Sequence, residues 1–200
     1  ESDGGNPFDG KMDDVRIYNR IMMPDDLMAL YRNTLTTSGI DTGLRGYWSF
    51  NAPDAGITNG GVAYDRSGAG NWGELMNGPP IVRGRVGQAL YFDGVNEYVD
   101  VAAATLINNQ HTFTYAAWIY PTGATCGNGY GPIIEKGTGS GLKKSLLIDC
   151  SGASGDRTLY GTVDTATTDA MSYTAAGVIA YDEWQHVAMT YDDAGDRLVR

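Results

Sequence analysis

Residues 111–120, HTFTYAAWIY, are apolar on both faces of an extended chain. Phe113, Tyr115, Ala117 and Ile119 share one face, and Ala116, Trp118 and Tyr120 share the other. A strand covered on both sides belongs in the middle of a sheet, and that sheet needs further layers over it. The flanking chain supplies candidates. Short alternating or aromatic runs stand at 45–50 (RGYWSF), 88–92 (QALYF), 97–101 (EYVDV), 132–136 (PIIEK), 145–149 (SLLID), 158–163 (TLYGTV), 184–191 (WQHVAMTY) and 197–200 (RLVR). Turns such as DRSGAGN (65–71), TGATCGNGYG (122–131) and GTGSG (137–141) separate them. Composition agrees: 28 glycines in 200 residues is well above the usual ~7%. The expectation is an all-β, antiparallel two-sheet sandwich.

One short helix is expected near the N-terminus, at 24–31 (PDDLMALY). Pro24 suits the first helical position, Asp25 and Asp26 favour the positive end of the dipole, and Leu27, Leu30 and Tyr31 share a face. Met23 is a poor N-cap, so fraying is expected. Ahead of the helix, KMDDVRIY (11–18) ends in a strand-like alternation. Behind it, residues 34–43 carry only Asp41 as a charge and read as a linker.

The net charge of −10 argues against nucleic acid and anionic membrane surfaces, which both select clustered Lys and Arg. No apolar run approaches eighteen residues, so no membrane insertion is expected. Residues 1–10 lack a basic start and an apolar core, so no leader is read in them. Two cysteines, Cys126 and Cys150, lie in Gly-rich segments without zinc-ligand spacing. They read as one disulfide of an extracellular domain or as two buried thiols.

The order of the pieces carries a resemblance. GLRGYWSFN (43–51), AYDRSGAGNWGELMNG (63–78), GRVGQALYFDGVNEYVDV (84–101), HTFTYAAWIYP (111–121), PIIEKG (132–137) and DEWQHVAMTYDD (182–193) follow one another as in laminin-G-like domains. These belong to the concanavalin A-like lectin/glucanase superfamily of jelly rolls. FDGKMDDVRIYNRIMMPDDLMALY (8–31) resembles that family's closing strand and helix, although it stands ahead of the rest. The resemblance implies a closing strand and helix in 1–33, a linker at 34–43 and, in 44–200, a laminin-G-like domain lacking its C-terminal strands.

The resembled fold also hosts glycanases, whose retaining members need two carboxylates about 5–5.5 Å apart. No E-x-D-x-x-E spacing occurs, Glu74, Glu97, Glu135 and Glu183 are isolated, and no nucleophile or phosphate motif is present. No catalytic residue is therefore assigned. His186 reads as a core or interface histidine, and Trp48, Trp118 and Trp184 read as core. Trp72, in the polar loop GAGNWGEL, and Tyr130, in GNGYG, are the ligand-binding candidates, for stacking on sugar or capping the sandwich. Many laminin-G-like domains bind calcium, and Asp65 and Asn71 in DRSGAGN, with Asp13 or Asp14 from the closing strand, are the candidate ligands. The plainer role for Asp65 is an Asx turn on Ser67.

These readings point to an extracellular or cell-surface, non-catalytic module for glycan or surface-protein binding, as in adhesion. The alternatives are a structural repeat of a long matrix or filament-forming protein, and an accessory domain of a secreted glycoside hydrolase. Residues 12–18 are further expected to pair with a sheet edge, in their own chain or by strand complementation with a neighbouring copy.

Overall fold

The computed structural model describes residues 7–32, 39–52, 60–102, 111–122, 129–137, 143–151, 157–164, 169–193 and 198–199. The strands are β1 (Asp9–Tyr18), β2 (Leu44–Trp48), β3 (Val62–Ala63), β4 (Gly73–Met76), β5 (Ile81–Arg83), β6 (Gln88–Asp93), β7 (Tyr98–Asp100), β8 (Thr112–Pro121), β9 (Tyr130–Lys136), β10 (Lys144–Asp149), β11 (Thr158–Asp164), β12 (Asp169–Tyr173), β13 (Gln185–Asp192) and β14 (Leu198–Val199). The helix is α1 (Pro24–Arg32). Among the described residues, one sheet runs β14-β13-β8-β1-β6-β5 with β2 also on β1; a second runs β12-β11-β10-β9, and a small third runs β3-β4-β7.

The alternation of HTFTYAAWIY now has a physical reason on each side. Phe113, Tyr115, Ala117 and Ile119 face the inter-sheet core, where they meet Leu146, Ile148, Leu159 and Val163 from the four-stranded sheet. On the opposite face, Ala116 joins Ala188, Tyr18, Met22, Ala29, Leu30 and Ile40 in a second core under α1. β8 is therefore a central strand buried by a sheet on one side and a helix on the other. Leu27 and Leu30 point inward as expected, whereas Tyr31 stays half exposed and stacks on Trp118 at 5.3 Å. Met23 caps poorly by itself, but the Asp26 carboxylate accepts the Met23 N–H (3.3 Å) and the Arg20 guanidinium (2.8 Å). That is half of a capping box.

β1 lies inside the sheet, not along its rim. β8 pairs along one side over Gly10–Tyr18. The other side is shared: β6 takes Asp9–Met12 and β2 takes Val15–Tyr18. At the changeover, the register against β8 slips between Asp13 and Arg16, and Asp14 adopts φ 51°. A bulge at that point lets one strand serve two successive partners. Residues 12–18, expected to pair with a sheet edge in their own chain or a neighbour's, thus pair within their own chain, with β2 among their partners. β3, β4, β5 and β12 were not expected as separate strands; each is short and is defined by its ladder partner.

Candidate functional site

The hairpin loop between β3 and β4 closes on the Ala63↔Gly73 pair and spans residues 64–72. Asp65 organises it. Its Oδ1 accepts the N–H groups of Tyr47 (2.9 Å) and Ser67 (2.8 Å), and its Oδ2 accepts the Ser67 hydroxyl (2.8 Å) and the Asn71 N–H (2.9 Å). The loop is also stitched to β2: Arg66 N–H donates to the Tyr47 carbonyl (2.8 Å), and Asn71 Nδ2 donates to that of Arg45 (2.7 Å). From the core, Trp48 Nε1 donates to the Asn71 carbonyl (3.0 Å). Gly68 and Gly70 take φ of 81° and 76°, which only glycine adopts without strain, and so let the chain turn twice within the loop. The next residue after this pinned segment is Trp72. It is 60% exposed and meets Tyr64, 45% exposed, edge to face at 5.8 Å. A rigid loop thus holds two aromatic rings nearly at right angles in solvent.

The four calcium candidates do not fit a cation cage as they are placed. A carboxylate offers about four acceptor sites, and those of Asp65 are filled by protein donors. Asp14 lies beside Arg16 at 3.9 Å and accepts the Tyr47 hydroxyl at 2.6 Å. Asp13 is fully buried, with Oδ2 accepting the Val86 N–H at 2.8 Å. Among the described residues, no three His, Cys, Asp or Glu side chains gather as a metal site. The Asx turn on Ser67 describes Asp65 better. Asp65→Ala is expected to lower stability by about 2–3 kcal/mol, since it strands several part-buried donors. The loss should be the same in calcium and in chelator, read as thermal midpoints.

Asp13 is electrostatically unusual. Its Oδ1 has no partner, and its carboxyl is pushed up from 3.8 to about 7, chiefly by burial and further by the charge of Asp14. His186 moves the other way, down to about 4, through burial and the nearby Arg16 guanidinium, so it is neutral at pH 7. His186 packs edge-on to Trp118 at 5.2 Å on the outer face of the seven-stranded sheet. Trp48 is in the inter-sheet core as expected. Trp118 is buried instead on the outer face, beneath Tyr31 and with the Arg85 guanidinium 4.8 Å from its ring. Trp184 is half buried against Tyr120 at 5.6 Å.

Tyr130, the second ligand candidate, opens β9 and is 43% exposed. It has aromatic neighbours that the sequence reading did not assign to a site: Tyr160 at 6.2 Å, and through it Tyr173, stacked on Tyr160 at 4.3 Å. The structure also gives Glu97, which looked isolated, an acidic neighbour in Asp93. The Glu97 carboxylate accepts the Asp93 N–H (2.8 Å), and the two side chains interact across the turn that links β6 to β7. Cys126 lies outside the described residues; Cys150 Sγ is 3.5 Å from the Tyr181 hydroxyl.

A family model described as the concanavalin A-like lectin/glucanases superfamily, of laminin-G type, matches residues 92–199. No curated protein and no solved structure matches the chain.

Proposed function

The chain belongs to the concanavalin A-like lectin/glucanases superfamily, and from that membership we propose that it is a non-catalytic binding module that holds glycan on Trp72 and Tyr64. The observation that carries the reading is the large exposed indole on a loop already fixed by Asp65. An indole with little covering surface costs stability in water and becomes useful when a ligand covers it. The hydrogen-bonded loop leaves little conformational entropy to lose on binding. Two rings near a right angle suit a pyranose, one ring taking its apolar face and the other its edge.

The test is a glycan array probed with wild type and Trp72→Ala. Wild type is expected to bind a subset of glycans, and the variant to lose at least tenfold in affinity with its melting midpoint unchanged within a few degrees. Equal binding by the variant removes Trp72 from the site. An array blank for wild type favours the structural-repeat reading, or a surface-protein partner.

An extracellular or cell-surface setting goes with this reading, and so does a Cys126–Cys150 disulfide, which is supported by the lack of a free cysteine among the described residues. Alkylation with and without reduction tests it by mass; two labelled thiols in the unreduced protein would refute it. Calcium enters only if a chelator lowers the melting midpoint of the wild type and calcium restores it.

A further inference from the structure

The four-stranded sheet has its own outward face, and aromatic side chains run across it. Inward positions Leu146, Ile148, Leu159 and Val163 face the core. The alternate positions therefore face out, and register places them side by side: Tyr173 opposite Tyr160, Tyr160 opposite Leu147, and Tyr130 opposite Asp149. Tyr160 is filled in from both sides and only 8% exposed, while Tyr173 keeps 53% and Tyr130 43% of their surface in solvent. The row thus offers ring surface at its two ends, joined by a closed middle.

We propose that this face is a second glycan subsite, and that it takes a neutral oligosaccharide. The proposal rests on the glycan-binding reading and narrows its ligand class. Charge makes the choice. The outward positions of β9, β10 and β11 carry Glu135, Asp149 and Asp164 as their charged groups. Lys143 is paired to Glu135 at 3.1 Å, and Lys136 stands opposite Lys144 in the ladder, at an inward position. Lys144 stands at an inward position over the Phe113 ring at 5.0 Å, and Arg157 lies over Tyr181 at 4.9 Å. On a chain of net charge −10, this face repels sulfated and uronate polymers. Tyrosine hydroxyls both donate and accept, as sugar hydroxyls do, and the rings supply apolar surface at no charge. Length follows from the sheet. The Tyr160 ring centre lies 6.2 Å from that of Tyr130 and 4.3 Å from that of Tyr173, so the two exposed rings stand at most about 10.5 Å apart with a covered ring between them, a span that a short oligosaccharide bridges better than a single sugar.

The same array, carrying neutral oligosaccharides, monosaccharides and sulfated or uronate polymers, tests the proposal with four proteins. These are wild type, the double variant Tyr130→Ala/Tyr173→Ala, and Trp72→Ala, with Tyr130→Phe/Tyr173→Phe as the conservative control. Wild type is expected to retain neutral oligosaccharides over monosaccharides and to leave anionic polymers unbound. The double alanine variant should lose about tenfold, the sum expected of two ring contacts, and the phenylalanine pair should recover most of it. Melting curves keep the comparison to folded protein. Preference for anionic polymers overturns the neutral class. An unchanged double alanine variant beside a defective Trp72→Ala overturns the sheet-face subsite and leaves the glycan reading standing. No glycan bound by wild type overturns both.

Discussion

Ile17→Asp is expected to leave the chain without a cooperative unfolding transition at 25 °C. Ile17 faces the main core from β1, paired on one side to Tyr115 and on the other to Gly46. A carboxylate there is buried without a partner, and such changes cost several kcal/mol. A domain of this size has only about 5–15 kcal/mol to lose. The strand concerned also joins β8 to both β6 and β2, so its loss opens the sheet through its middle. Urea titration followed by tryptophan fluorescence reads the result. Met23→Asp introduces the same charge six positions on, at the N-cap of α1, where it should be neutral or stabilise by up to about 1 kcal/mol. If both variants unfold at the wild-type urea concentration, β1 does not hold the sheet together.

A second large effect is expected at Asp13, with an unusual sign. Burial raises its carboxyl from 3.8 to about 7, so between these values the folded protein holds a proton that the unfolded chain has released. Stability from this group is fully present below about pH 4, falls as pH rises toward 7, and is flat above. A difference of about 3 in pKa corresponds to roughly 4 kcal/mol at its upper bound. Asp13→Asn keeps an oxygen for the Val86 N–H and removes the charge. The variant should therefore match wild type near pH 4 and exceed it by about 2–4 kcal/mol at pH 8. Urea midpoints at the two pH values decide it, with the difference between the proteins cancelling the other acids. A variant less stable than wild type at pH 8 would mean that the charged carboxylate is favoured where it stands.

The sheet-forming segments were legible because alternation is local: HTFTYAAWIY announces a strand buried on both faces without reference to anything else. What covers its second face was not legible. α1 is reached through a turn after β1, and nothing in 24–31 says which strand it lies on. β3 and β5 escaped because two or three residues carry no period; their ladders make them strands. The Asp65 loop could be located from its glycines and polar residues, but both a turn and a cation site suit that composition. Only the donors that converge on the carboxylate separate them. Tyr160 and Tyr173 were invisible as a pair, since their contact depends on the β11–β12 register and not on spacing within either strand.

The placement of β1 sets an order of events during synthesis. Its closing partners are β6, which begins at Gln88, and β8, which begins at Thr112, while β1 ends at Tyr18. Ribosomes add about 5–20 residues per second, so β1 is made roughly 5–20 s before β8 begins to emerge. During that interval β2 can pair along Val15–Tyr18 and, later, β6 along Asp9–Met12, but the whole side that β8 takes stays open. A nascent chain in this state exposes an unpaired strand edge, which is what holding chaperones cover. Once β8 is available, β1 is locked in on its remaining side, long after it was made.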